Sequence, residues 1–197
     1  INQYTIAITY SGTINVGTSE TITSLTNAGG LFERLNAGVL VGNLTVNVTS
    51  DLTTETGLVA LNALTEEPAA SNFSIIIVPS GGAMRNISGS INSSALIKLN
   101  GVSRITIDGL STGGNGFTIS NNATTGPSVV NVGSVGTTPI SNVTITNTTI
   151  INGVNTSSAI VVGDATTIGN AGYFTNVTIS NNNIQRAFIG IFINAVV

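Results

Sequence analysis

The clearest pattern along the chain is an alternation of β-branched apolar residues with hydroxyl or amide residues, and one version of it returns three times in the second half. The runs are Ser103-Arg-Ile-Thr-Ile-Asp-Gly109, Ser141-Asn-Val-Thr-Ile-Thr-Asn147 and Thr175-Asn-Val-Thr-Ile-Ser-Asn181, beginning 38 and then 34 residues apart. In each, an apolar pair flanks a Thr: Ile105 and Ile107, Val143 and Ile145, Val177 and Ile179. That period of two puts the pair on one face of a strand and the Thr on the other. A Gly or Asn closes each run, residue types that tolerate the left-handed backbone of a sharp bend.

Two further strand-like series recur between these runs. One is Phe117-Thr-Ile-Ser120, Thr149-Ile-Ile151 and Asn183-Ile184; the other is Val129-Val-Asn-Val132, Ile160-Val-Val162 and Ile189-Gly-Ile-Phe-Ile193. Three strands per repeat describe a chain that winds as a coil of parallel strands, each unit burying its apolar face on the next. A helical repeat would need a long amphipathic stretch in each copy, and Gly, Asn, Ser or Thr interrupts every window after Gly38. The pattern predicts an all-β fold, a right-handed parallel β-helix with three strands per coil and a short N-terminal capping helix.

Residues 1–197 read as one β-helix domain in four stretches. Residues 1–26 form an N-terminal strand, with Tyr4, Ile6, Ile8 and Tyr10 on one face, and a hydroxyl-rich connection. Residues 27–38 form the helix, capped by Asn27, carrying Leu31, Phe32 and Leu35 on one side and stopped by Gly38; it is expected to cover the open end of the first coil. Residues 39–102 are irregular first coils: Leu44, Val46 and Val48 alternate, and 58–64, 75–78, 87–91 and 95–99 are strand candidates. The unbroken apolar run 75–78 reads as a strand covered on both faces, and Glu66-Glu67-Pro68 as a protruding loop. Residues 103–197 are the regular coils, and the last ten stay strand-like and apolar. An apolar last coil is a sticky edge, so the stretch is expected to belong to a longer β-helix or to be covered by another chain.

The Ile-Thr-Ile-Asp-Gly109 and Asn-Val-Thr-Ile-Ser-Asn-Asn182 runs resemble coils of the pectate-lyase-like superfamily of right-handed parallel β-helices. Gly29-Gly-Leu-Phe-Glu-Arg-Leu-Asn-Ala-Gly38 followed by Asn43-Leu-Thr-Val-Asn-Val48 resembles the opening segment of β-helix domains in large secreted surface proteins. Many of those are cargo of the type IX secretion system of Gram-negative bacteria. The resemblance implies an exported, secreted or cell-surface protein, with secretion-system components among its possible partners.

Composition narrows the chemistry. Apolar residues make up 41% of the 197, enough for a core, but charged residues only 7%, against about 25% in ordinary soluble domains. The surface is therefore a neutral coat of Thr, Ser, Asn and Gly. Five basic residues and a net charge of −3 leave no footprint for nucleic acid and no polybasic membrane patch. No apolar run approaches the roughly 20 residues of a spanning helix, so membrane insertion is not expected. With neither Cys nor His, disulfides, thiolate sites and imidazole chemistry are excluded, and no cofactor is implied.

Asp108, Asp164, Lys98, Arg104 and Arg186 are the charged residues of the coils. Asp108 points outward if Ile105 and Ile107 point in, and its counterparts in the next two coils are Thr146 and Ser180. Glycoside hydrolysis needs two carboxyls about 5–10 Å apart, and this arrangement supplies one. No catalytic residue is assigned, and Asp108 reads foremost as a turn former ahead of Gly109, with Arg104 as a surface contact. Glu66 and Glu67 with Asp51 or Glu55 lack the pattern of a calcium loop and read as solvated, so no metal site is expected. Gly113-Gly-Asn-Gly116 lacks the Lys and helix of a phosphate loop and reads as a turn. Thr106, Thr144 and Thr178 form an outward column, the candidate binding face together with Asp108, while strand propensity alone also places Thr there. Gly109, Asn147 and Asn181 are expected to stack as a turn ladder. The leading expectation is a non-catalytic, adhesin-like or carbohydrate-binding module whose partners are glycans or cell surfaces. The alternatives are a polysaccharide lyase or hydrolase with its catalytic coils outside this stretch, and a cargo segment held in a secretion complex.

Overall fold

The computed structural model describes residues 7–111 and 114–196. The expected coil is present: a parallel β-solenoid of about six turns built from three sheets. Sheet A stacks Thr9–Val16, Val39–Val48, Ile75–Pro79, Ile105–Asp108, Ile140–Thr146 and Phe174–Ser180. Sheet B stacks Leu52–Glu55, Arg85–Gly89, Phe117–Asn121, Thr148–Asn152 and Asn183–Gln185. Sheet C stacks Leu61–Asn62, Ala95–Asn100, Ser128–Ser134, Ser158–Asp164 and Ile189–Ile193. Each coil visits A, B and C in turn, so every strand pairs with its equivalents one coil before and after.

Register turns the sequence alternation into columns. In sheet A, Leu44, Ile75, Ile105, Val143 and Val177 pair in succession, and so do Val46, Ile77, Ile107, Ile145 and Ile179. Sheet B contributes Leu52, Ile87, Ile119, Ile150 and Ile184; sheet C contributes Leu61, Leu99, Val132, Val162 and Ile193. Through the middle coils these side chains are essentially inaccessible. One apolar interior runs the length of the solenoid.

Both ends differ from expectation in detail. The helix is Leu31–Ala37, with Leu31, Phe32 and Leu35 buried over the first coil, and Gly38 closes it through its N–H to the Leu35 carbonyl. Its N-cap is Gly30, not Asn27, and no side chain caps it. The Asn27 amide is drawn elsewhere: its Oδ1 accepts from the Thr56 N–H and hydroxyl, and its Nδ2 donates to the Thr54 carbonyl. Tyr4 and Ile6 lie outside the described residues, and Ile8 is exposed because pairing starts at Thr9. A register shift between Tyr10 and Gly12 follows, and Ile14 and Val16 then face the core. In the run 75–78 only Ile75 and Ile77 are buried, so that strand is half-covered like its neighbours. Of 58–64 only Leu61–Asn62 is strand, and Leu58 is exposed. Glu66 belongs to a two-residue strand beside Val39–Leu40, and its carboxylate is tied down rather than solvated.

At the other end the last coil is uncovered. Ile191 and Ile193 occupy the columns of Ile160 and Val162, which are fully buried, yet Ile193 is 57% exposed and neighbouring Phe188 74% exposed.

Candidate functional site

The predicted Thr column is real and longer than predicted. Thr13, Thr45, Ile76, Thr106, Thr144 and Thr178 pair rung on rung on the outer face of sheet A. Adjacent rungs are about 4.8 Å apart, the spacing of a parallel ladder. None of the five Thr hydroxyls is bonded to a protein group among the described residues, so this face offers a row of free donors and acceptors broken once by Ile76. Beside it runs a second outward column, Asp108, Thr146 and Ser180, in which the Thr146 and Ser180 hydroxyls bond each other at 3.1 Å.

Asp108 serves the corner. Its Oδ1 accepts the Leu110 N–H at 2.8 Å and the Asn147 amide at 2.7 Å, and Asn181 donates in turn to Asn147 Oδ1 at 3.4 Å. The expected ladder therefore exists, with Asp108 rather than Gly109 as its terminal acceptor. Asn147 and Asn181 are left-handed, with φ of 56° and 54°, whereas Gly109 has no positive φ. Gly is required there by space: a Cβ would lie 2.1 Å from the Asn147 carbonyl oxygen of the next coil. A second left-handed column escaped the sequence reading. Arg104, Asn142 and Asn176, with φ of 57°, 55° and 52°, each stand directly before the repeated apolar-Thr-Ile segment, and the Asn176 amide donates to Asn142 Oδ1. Its signal was the Asn directly before each Val-Thr-Ile.

Arg104, Glu66, Glu55, Asp164, Arg186 and Lys98 are dispersed, and all but Lys98 are locally engaged. Arg104 pairs with Glu66 at 2.6 Å, not with Asp108, and also donates to the Phe73 carbonyl. Burial pushes the Glu66 carboxyl up, but the Arg104 hydrogen bond, the Asn72 and Phe73 amides and the Arg104 charge together hold it below the ordinary carboxylate range. Glu55 is buried at the first B-to-C corner, where it accepts from the Ser24 and Thr26 hydroxyls and the Leu25 and Thr26 amides. Asp164 closes a turn onto the Thr166 and Thr167 amides, and Arg186 donates to the Gly153 carbonyl. Lys98 projects from the outer face of sheet C with no partner among the described residues, and burial lowers its amine below the usual lysine value. No group of three or more acidic side chains that could hold a metal occurs among the described residues. Gly114–Asn115 pair antiparallel with Leu110–Ser111, so the glycine-rich stretch is a small hairpin rather than a phosphate cradle; Gly113 lies outside the described residues.

A second feature, unforeseen from the sequence, lies on the outer face of sheet C. A groove of about 430 Å³ is lined by Val161, Phe192 and Ile189 from the sheet, by Ile168 and Gly169 from the loop after the fourth coil, and by serines at successive B-to-C corners. No charged residue lines it. No family model, curated protein or solved structure matches the chain.

Proposed function

We propose that the chain is a non-catalytic, carbohydrate-binding module of an exported surface protein, adhesin-like in role, with glycans or cell surfaces as partners. The observation that carries this reading is the column of unpartnered Thr hydroxyls on sheet A, repeated at the rung spacing of the solenoid. A flat row of neutral hydroxyls matches the hydroxyl-rich flank of an extended polysaccharide, and charge has no part in either surface. The carboxylates of Asp108, Asp164 and Glu66 are each committed to local hydrogen bonds or an ion pair, which supports a non-catalytic reading of this stretch. The assignment to the pectate-lyase-like superfamily and to type IX secretion cargo is part of the same proposal, supported by the repeated Asn-Val-Thr-Ile runs and the parallel coils they form.

The test is retention of the purified chain on a panel of immobilised neutral and acidic polysaccharides, with Thr106→Val, Thr144→Val and Thr178→Val combined as the comparison. Val keeps shape and strand propensity and removes only the hydroxyls. Retention that falls in the triple variant supports the reading. Equal retention, or none for the parent chain, counts against it.

A further inference from the structure

We propose that the groove on the outer face of sheet C is a discrete site for a neutral sugar ring, separate from the Thr face and resting on the carbohydrate reading above. Its floor is apolar and aromatic: Val161 and Phe192 are adjacent rungs of one outward column, and Ile168 leans over them from the loop that follows the fourth coil. Its wall is hydroxyl. Ser94, Ser128 and Ser158 stand at the same corner of three successive coils, where sheet C begins. None of these three hydroxyls has a protein partner among the described residues. The contrast with Ser157 in the same wall is informative: its hydroxyl donates to the Pro127 carbonyl and accepts from the Asn152 amide, so it is structurally committed.

An apolar platform facing free hydroxyls is the complement of a pyranose, which has one C–H face and an equatorial rim of hydroxyls. At about 430 Å³ the groove falls within the roughly 300–1,000 Å³ of small-ligand sites. Phe192 supplies an aromatic ring on which C–H groups can pack, and the serines can each donate and accept. An acidic sugar would find no counter-charge on the lining, and an apolar peptide side chain would leave the three hydroxyls desolvated and unpaired. The chemistry therefore selects a neutral, polyhydroxylated ring.

The experiment is calorimetric titration of the whole chain with neutral oligosaccharides of glucose, mannose, xylose and galactose, with oligogalacturonate as the acidic comparison. The expected result is binding of at least one neutral sugar, weakened about tenfold or more by Phe192→Ala, the size of loss a central anchor gives. Because Phe192 sits on the last strand, Ser158→Val serves as a second variant that leaves the stack intact, with far-UV circular dichroism confirming the fold. It is expected to weaken binding as well, while the triple Thr variant of sheet A leaves this affinity unchanged. Binding that survives both groove variants but falls in the Thr variant overturns the groove and leaves the carbohydrate reading standing. Preference for oligogalacturonate, or for an apolar peptide, overturns the groove's assignment to a neutral sugar. Absence of binding to any glycan overturns both readings.

Discussion

Removing the Asn121 side chain tests what holds the coils to one another where they turn. Asn121 is fully buried at the corner between sheets B and C, in register with Gly89 and Asn152. Its Nδ2 donates to the carbonyls of Ile91, Ser94 and Ser128 at 3.0, 3.2 and 2.8 Å, two hydrogens serving three acceptors. Its Oδ1 accepts the Ile91 amide at 2.8 Å and the Ala123 amide at 3.3 Å. One side chain thereby ties its own coil to the preceding one. Each such bond contributes about 0.5–1.5 kcal/mol net, and a buried partner left unsatisfied costs about 1–3 kcal/mol. Ile91 is only half-buried and can be rewetted, which discounts its two bonds. Asn121→Ala is then expected to cost roughly 3–5 kcal/mol. Asn152, one coil later, is the internal control: its Nδ2 bonds span 2.9–3.5 Å, and its Oδ1 has no partner. Asn152→Ala should cost only about 1–2 kcal/mol. Urea unfolding followed by far-UV circular dichroism measures both. With a slope of about 3 kcal/mol/M, the Asn121 variant should lose roughly 1–1.7 M in midpoint. Equal losses for the two variants would refute the reasoning, because burial is the same and only the bonding differs.

The other expectations concern charge, space and the open end. The lowered Glu66 carboxyl contributes stability that is complete above the ordinary glutamate range and is lost as pH falls through its folded value, so Glu66→Gln should flatten the acid limb of stability against pH. Lys98 has the opposite consequence at the basic end: with its folded value lowered, stability should rise with pH up to the ordinary lysine value, and Lys98→Met should abolish that rise while stabilising the neutral protein. Gly109→Ala places a Cβ 2.1 Å from the Asn147 carbonyl oxygen and should cost about 3 kcal/mol or more in thermal or urea unfolding. Gly136, with nothing within 4 Å of its would-be Cβ, should show only the smaller strain of its φ of 58°, about 1 kcal/mol. The exposed Phe188 and Ile193 should make the chain associate with rising concentration in sedimentation, and Phe188→Ser with Ile193→Ser should reduce that association.

The parts of the fold legible in the sequence are those governed by a period of two. Once Ile105 and Ile107 are placed inward, the outward positions of Thr106 and Asp108 follow, and a repeat that keeps phase carries the same assignment to Thr144, Thr146, Thr178 and Ser180. The corners were less legible because several residues satisfy the same local demand. Asn27 is a good helix cap in isolation, yet Thr56 and Thr54 compete for its amide, and Gly30 caps by default. At Gly109 the sequence suggests conformational freedom, whereas the constraint is the close approach of the next coil. Arg104 concealed the left-handed column because only its two successors are Asn. The groove could not be read from any local window, since its wall draws serines from three coils and its overhang from a loop. The trace it left is Ser94 just before Ala95–Asn100, with Ser128 and Ser158 as the first residues of the next two sheet C strands.

The scarcity of charge is the thread that joins stability to recognition in this molecule. Among the described residues a single ion pair, Arg104 with Glu66, crosses between elements, and the corners are instead held by amides such as Asn121 and Asn147. Neutral amide and hydroxyl bonds are barely screened by salt, unlike exposed ion pairs, which fade over a Debye length of about 8–10 Å. The two candidate surfaces share that character: the Thr column carries hydroxyls and one Ile, with no charge, and the sheet C groove has no charged lining. Neither carries a cation in its own lining; Lys98 stands two rungs from Val161 in the same outward column, outside the groove, so the dependence of binding on ionic strength should be shallow. A ligand recognised here must be selected at contact, by the fit of hydroxyls to hydroxyls and of a C–H face to Phe192. Binding that persists undiminished in high salt is what such surfaces require, and an acidic polysaccharide held by stray cations would be released under the same conditions.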